Sequence, residues 1–225
     1  MTGIFVGDVK VHWANHATVM LEGSSIVYID PYTRAMAGDY YQADIILVTH
    51  PHFDHFDPEA IRRLSMEDTV LLAKEGCDIG DFDFEARLMN PGDDEEVGDV
   101  EVRGVEAYND HRFRNPGEPF HDKGDCMGVV VKMDGKTFYH ASDTDLIDEM
   151  NNLKSMDLDI AFLPIGGTYT MDVEEAVEAV ERIEPEKVVP IHYNMIDGTE
   201  ADVERFKRMV EQRTESHVAI LEPDG

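Results

Sequence analysis

Seven residues, Thr49-His50-Pro51-His52-Phe53-Asp54-His55, constrain this chain more than any other segment. Three imidazoles and one carboxylate fall within six positions, directly after the apolar run Asp44-Ile45-Ile46-Leu47-Val48. A β-branched, apolar run of that length reads as a buried strand. The cluster is therefore expected in the loop at the strand's C-terminal end, where α/β folds place their sites. In extended backbone His50 and His52 point the same way and reach one cation. Asp54 and His55 follow a turn and reach a second cation nearby. Imidazole with carboxylate suits zinc, with manganese or iron(II) as alternatives. Burying four such side chains unpaired would be costly, and exposing them would give no reason for the strand before them.

The chain has 225 residues and no linker-like stretch, so one domain over 1–225 is the natural reading. Hydrophobic residues make up 42%, enough for a sizeable core. No apolar run approaches the roughly 20 residues needed to span a bilayer. The opening Met1–Asp8 lacks a basic stretch followed by a long apolar one. The expected compartment is the cytoplasm, with no membrane partner. Acidic residues number 48 against 19 Lys and Arg, a net charge of −29, and only 8 of the cations are lysines. An acidic, lysine-poor surface suggests a halophilic protein, in which salt screens self-repulsion. The same field argues against nucleic acid as a partner. Cys77 and Cys126 lack CxxC spacing and read as free thiols without an assigned role.

Strands are expected over Val9–Trp13, Thr18–Glu22, Ser25–Ile29 and Asp44–Thr49, with Gly23-Ser24 as a hairpin turn. Asp57 caps a helix that runs to about Met66, and Pro58 fits its first turn. Further strands are expected at Thr69–Ala73, Val97–Val100, Val102–Ala107, Gly128–Met133 and Thr137–His140, the last two joined through Asp134-Gly135. A short helix is expected at Leu146–Asn152 and a buried strand at Ile160–Pro164. Apolar residues at Val173, Ala176, Val177 and Val180 have helical spacing within Met171–Ile183. The last elements read as a strand at Lys187–Pro190, a helix at Glu200–Arg213 and a strand at His217–Leu221. Periodicity alone gives a mixed α/β (α+β) class.

The pattern His-x-His-x-Asp-His resembles the metallo-β-lactamase superfamily of metal-dependent hydrolases. Trp13-Ala14-Asn15-His16-Ala17 and Ile29-Asp30-Pro31 look like the start of these proteins. Tyr139-His140-Ala141-Ser142-Asp143-Thr144 looks like their Gly-Asp-Thr turn, with Ser142 in place of the glycine. Pro164-Ile165-Gly166-Gly167-Thr168-Tyr169-Thr170-Met171 and Pro190-Ile191-His192-Tyr193-Asn194 look like late motifs of the L-ascorbate-6-phosphate lactonase-like branch. The resemblance runs from about Val11 to the end of the chain. It implies a four-layer αββα sandwich and a site for two divalent cations.

The resemblance also implies the rest of the ligand set. Asp143 bridges the two cations, and His192 matches the family's last histidine as a further ligand. Related hydrolases carry a histidine in an Ala-(aromatic)-His segment, which here reads Ala107-Tyr108-Asn109. His121, in Phe120-His121-Asp122-Lys123-Gly124, stands in as the third imidazole beside His50 and His52. Asn109 is left as a weak ligand or a substrate contact. His16, Asp30 and His140 read as residues behind the ligands, since a metal-bound histidine usually donates its other ring nitrogen. His12 and His217 read as structural.

Two adjacent divalent cations lower the pKa of a shared water and polarise the oxygen under attack. Asp54 then holds the attacking water, and His192 helps to stabilise the oxyanion. No Gly-x-Ser-x-Gly elbow offers a serine nucleophile. Segment 111–123 carries His111, Arg112, Arg114, His121 and Lys123 in a chain poor in cations. Two readings stay open for it: a pocket for a small anionic substrate, and a solvated loop paired with Asp110, Glu118 and Asp122. The leading function is hydrolysis of a lactone, ester or phosphodiester. A non-catalytic metal-binding sensor or scaffold is the alternative, and a two-iron redox enzyme is a third. The resemblance also implies self-association into a homo-oligomer.

Overall fold

The computed structural model describes residues 3–38 and 40–223. The outermost residues of the expected domain, 1, 2, 224 and 225, lie outside the described residues. Among the described residues, sixteen strands form two seven-stranded sheets and one two-stranded hairpin.

The first sheet takes β1 (Ile4–Val6), β2 (Val9–Asn15), β3 (Thr18–Glu22), β4 (Ile26–Ile29), β5 (Ile45–Val48), β6 (Val70–Lys74) and β7 (Glu85–Met89) in sequence order. Its first four strands are antiparallel, and β4 to β7 run parallel. The second sheet holds β8 (Asp94–Val97), β9 (Val100–Ala107), β12 (Cys126–Met133), β13 (Lys136–His140), β14 (Ile160–Pro164), β15 (Lys187–Ile191) and β16 (His217–Val218). It repeats the same switch, antiparallel from β8 to β13 and parallel from β13 to β16. A small hairpin of β10 (Phe113–Asn115) and β11 (Glu118–Pro119) stands apart.

Alternating side chains explain the layers. Val19 and Leu21, Val27 and Ile29, and Ile45 and Leu47 face the space between the sheets and join Val129, Val131 and Phe138 in one core. Met20, Tyr28, Ile46 and Leu71 point the other way and pack under Ile61 and Leu64 of α1 (Pro58–Leu64). Central strands with both faces covered read as continuous apolar runs. On the outside of the second sheet lies α2 (Val173–Ile183), with Ala176, Val177 and Val180 buried. Beside it α3 (Val203–Arg213) buries Phe206 and Val210. The result is the expected αββα sandwich.

Capping follows the sequence closely. Asp57 accepts from the backbone of Glu59 and Ala60, and Pro58 opens α1. Asp172 and Glu175 form a reciprocal capping box on α2. The expected strand Val97–Val100 is instead the closure of the β8–β9 hairpin. Val97 pairs with Val100 across Gly98-Asp99, where Gly98 has φ +60°. The expected short helix is a 3-10 turn over Asp148–Met156. Strands β1, β7 and the β10–β11 hairpin had no alternating apolar pattern strong enough to announce them.

The switch from antiparallel to parallel pairing places the site. The ends of β4, β5, β13 and β15 reach the same rim, where the two sheets are stitched together. His192 N donates to His16 O at 2.9 Å, and Met127 N to Thr49 O at 3.0 Å.

Candidate metal centre

Six segments converge on that rim. The loop after β5 brings His50, His52, Asp54 and His55. The β2–β3 turn brings His16, and the end of β4 brings Asp30. The turn after β13 carries Asp143, His192 follows β15, and the segment past β11 brings His121. His16, Asp30, Ser142 and His192 all have positive φ, between 48° and 60°. Each such non-glycine residue costs of order 1–3 kcal/mol, and such strain concentrates at functional sites. Ser142 takes the left-handed conformation that glycine would adopt freely, so the turn is kept at that cost.

The donor atoms fall into two groups that share Asp143. In the first, His50 Nε2 and His121 Nε2 lie 3.1 and 3.2 Å from His52 Nδ1, and His121 Nε2 lies 3.4 Å from Asp143 Oδ2. In the second, Asp143 Oδ1 lies 3.4 Å from His55 Nε2 and 3.2 Å from His192 Nε2. Ligand atoms of Asp54, His55, His192 and His16 come within 4.8 Å of one another. Ligand atoms around a zinc ion with bonds of about 2.0–2.1 Å sit about 3.3 Å apart, the edge of a tetrahedron.

Unpaired atoms make the same case. His55 Nε2, Asp143 Oδ1 and His192 Nε2 are buried and have no aligned hydrogen-bond partner. Each such atom costs about 1–3 kcal/mol. Three of them turned towards one point fit a cation. The residues present therefore suit a divalent metal at each pole, with imidazole and carboxylate oxygen as the donors.

The groups behind the ligands fix which ring nitrogen faces inwards. Asp30, fully buried, accepts from Thr49 N at 2.8 Å, Thr49 Oγ1 at 2.7 Å and His55 Nδ1 at 2.7 Å. Thr49 Oγ1 spends its proton on Asp30, so it accepts from His50 Nδ1 at 3.1 Å. One carboxylate thereby presents the Nε2 of both His50 and His55. His16 Nε2 donates to Asp54 Oδ2 at 3.0 Å. His140 donates through Nε2 to Ala17 O at 2.8 Å and accepts Ser142 N at 3.1 Å, which shapes the turn carrying Asp143.

Charge follows this wiring. Burial would raise the Asp143 carboxyl, but the imidazoles of His192 and His55 hold it well below its ordinary value. Burial would lower His55, but Asp143 and Asp30 raise it well above. Burial would also raise Asp54, yet the His16 hydrogen bond and His55 charge depress it. Burial and the nearby imidazoles depress His50, and burial takes His121 to about 4.

A cavity of about 430 Å³ opens over both poles, within the range of small-molecule sites. Its polar lining is His52, Asp54, His121, Asp143 and His192. Phe53, Phe120, Tyr169 and Ile196 supply apolar walls, and Arg114 the cation. No sequence pattern marked these walls, because they come from separate loops. Two further hollows along β8 and β9 hold none of the clustered imidazoles.

The cationic segment 111–123 divides. Arg114 lines the cavity, lies 5.9 Å over Phe120 and makes no ion pair among the described residues. Arg112 is bound by Asp145, Glu175 and Gly167 O and does not line the cavity. His111 pairs with Asp110 and Glu175, and Lys123 with Glu149. Asn109 also lies outside the lining, its amide bound to Asp145, Tyr169 O and His121. His12 pairs with Glu22, while Cys77 and Cys126 are buried free thiols. Among the described residues no helix is long and apolar enough to cross a membrane.

Comparison with known proteins gives the same class. The profile of the β-lactamase superfamily domain matches residues 10–192. A UPF0173 metal-dependent hydrolase of Pyrococcus horikoshii is 37% identical, covering 96% of this chain and 97% of its own. One from Thermococcus kodakarensis is 36% identical over the same shares. A solved metallo hydrolase from Ignicoccus hospitalis superposes with a TM-score of 0.77 at 28% identity, covering 96% of this chain and 95% of its own. A structure from Parabacteroides distasonis, described as a metal-dependent hydrolase, reaches 0.82 at 29% identity, covering 94% and 92%. Fold, site and relatives together define a metal-dependent hydrolase of the metallo-β-lactamase type. Within that superfamily the chain belongs to the UPF0173 family.

Proposed function

We propose that this hydrolase uses two divalent cations, zinc foremost, to cleave a small anionic substrate at a lactone, ester or phosphodiester bond. The observation that carries the reading is the division of Asp143, whose two oxygens face separate imidazole groups. Divalent cations bound there supply an acidified water and a Lewis acid for the substrate oxygen. His50, His52 and His121 would hold one; Asp54, His55 and His192 the other.

The chain's own groups do the positioning. Asp54 is ionised, held by His16, and lines the cavity, so it accepts a hydrogen bond from the attacking water. His192 borders the same cavity, on the side where negative charge develops. Phe53, Phe120 and Tyr169 exclude water from the reacting bond. Arg114 is the fork for a carboxylate or phosphate on the substrate. The resemblance of Pro164–Met171 and Pro190–Asn194 to the lactonase-like branch supports a lactone or ester. The net charge of −29 supports work in high salt, and the same excess of acidic residues supports a small-molecule substrate rather than nucleic acid.

The test compares a chromogenic phosphodiester, an anionic ester or lactone, and a neutral ester, in molar salt, with zinc- or manganese-loaded and chelated protein. Chelator-sensitive turnover is expected. Arg114→Ala should raise KM about tenfold for the anionic substrates, a loss of about 1.4 kcal/mol, and leave the neutral ester unchanged. An equal KM for all three would remove Arg114 from recognition. No chelator-sensitive turnover by protein carrying two cations would favour the non-catalytic sensor or scaffold.

A further inference from the structure

The resemblance of Ala107-Tyr108-Asn109 to the Ala-(aromatic)-His segment implies a ligating histidine at position 109, and here it is asparagine. We infer that Asn109 and Asp145 are positioning residues that decide which nitrogen of His121 faces the first pole. The inference rests on the two-cation reading proposed above.

The amide's orientation is forced by its neighbours. Asn109 Nδ2 lies 2.9 Å from Asp145 Oδ1 and 3.1 Å from Tyr169 O. An ionised carboxylate and a backbone carbonyl only accept, so that end of the amide is the NH2 group. The other end, Oδ1, lies 3.0 Å from His121 N and 2.7 Å from His121 Nδ1. An amide oxygen only accepts, so Nδ1 carries the ring proton. Nε2 then keeps its lone pair, 3.2 Å from His52 Nδ1 and 3.4 Å from Asp143 Oδ2.

Asp145 holds the amide in place. It is fully buried and also accepts from Asp110 N at 2.9 Å, His111 N at 3.1 Å and Arg112 Nη1 at 2.6 Å. It sits two residues beyond Asp143, so one turn supplies the carboxylate between the poles and the carboxylate behind His121. Asp30 does the corresponding work for His55 directly and for His50 through Thr49. The substitution of asparagine at 109 is thus a transfer of roles. The ligand moves twelve residues on, to His121, and position 109 becomes its hydrogen-bond acceptor.

Two readouts test this without turnover. The first is the 15N NMR coupling pattern of the His121 ring in metal-free wild type, with the signal assigned by its absence in His121→Gln. The expected pattern is Nδ1–H with a bare Nε2. The second is cation binding to Asn109→Leu, which removes the acceptor but keeps comparable bulk. One cation should weaken about 10–100-fold, the usual effect of losing a group behind a ligand. The other should bind as in wild type, and the His121 ring should lose its single tautomer. An Nε2–H ring in wild type, or unchanged tautomer and affinity in the variant, would overturn the inference. Should wild type bind fewer than two cations, the functional reading fails, and the wild-type ring pattern still decides this one. The same ring pattern decides it if the variant does not fold.

Discussion

Two clusters of histidine and carboxylate, each around a buried aspartate, sit on either side of the turn 143–145, and they are wired in opposite ways. Around Asp145, donors and acceptors match. Arg112 lies between Asp145 and Glu175, His111 joins Glu175, and backbone amides fill the remaining sites. Around Asp143, three inward-facing atoms have no aligned partner. Proximity alone does not separate them, since Asp110, His111 and Asp145 also offer donors within 4.8 Å. The difference is the cation. The guanidinium of Arg112 already occupies the second cluster, so that cluster is structural. The first is built for a cation from outside. Buried polar groups are paired in folded proteins, so a group left unpaired points to a ligand.

The largest effect that would break this contrast is at Asp143 itself. Asp143→Asn should take cation binding and chelator-sensitive turnover below detection while the apo protein stays folded, measured by metal analysis and thermal melting. An Asp143→Asn protein that keeps two tightly bound cations would contradict the contrast.

Arg112→Met should do the reverse. It leaves Asp145 and Glu175 without their cation and should cost about 3–5 kcal/mol of unfolding free energy. KM for an anionic substrate should change little, because the residue is engaged by Asp145 and Glu175. Chemical denaturation and a KM series read the two effects separately.

A smaller effect comes from adding a divalent cation. Zinc at about 100 times its dissociation constant should stabilise wild type by about 2.7 kcal/mol. Asp143→Asn should gain little, by the same melting experiment.

The smallest effect is a pH dependence. Burial would raise the Glu175 carboxyl, but its hydrogen bond to Arg112 holds it below the ordinary value. A carboxyl depressed on folding adds stability above its unfolded pKa and loses it as pH falls through the lower, folded one. The stability gap between wild type and Arg112→Met should therefore narrow below about pH 4. Denaturation curves from pH 7 to pH 3 read this directly.

Much of this was legible because it was local. The run Ile45–Val48 and the motif His50–His55 lie together in sequence, and so do the cap Asp57 and the helix it opens. Asp143 and His192 sit in short motifs after recognisable strands. What escaped was non-local. Asp145 has no motif of its own, and its role follows from donors at 109 to 112 that meet it only in the fold. Phe53, Phe120, Tyr169 and Ile196 line one cavity from four loops. Arg112 and Arg114 look equivalent in sequence. Only the fold places Glu175 beside one and open cavity beside the other. Strand β7 was missed because all its residues but Met89 are exposed or half-buried, with charged Glu85 and Arg87 among them, as an edge strand permits.

Cation stoichiometry tests the central claim most directly. Native mass spectrometry of the zinc-reconstituted protein should find two cations per chain in wild type and one in His121→Ala. One cation or none in wild type, or two retained in His121→Ala, would contradict a centre with two poles that share Asp143.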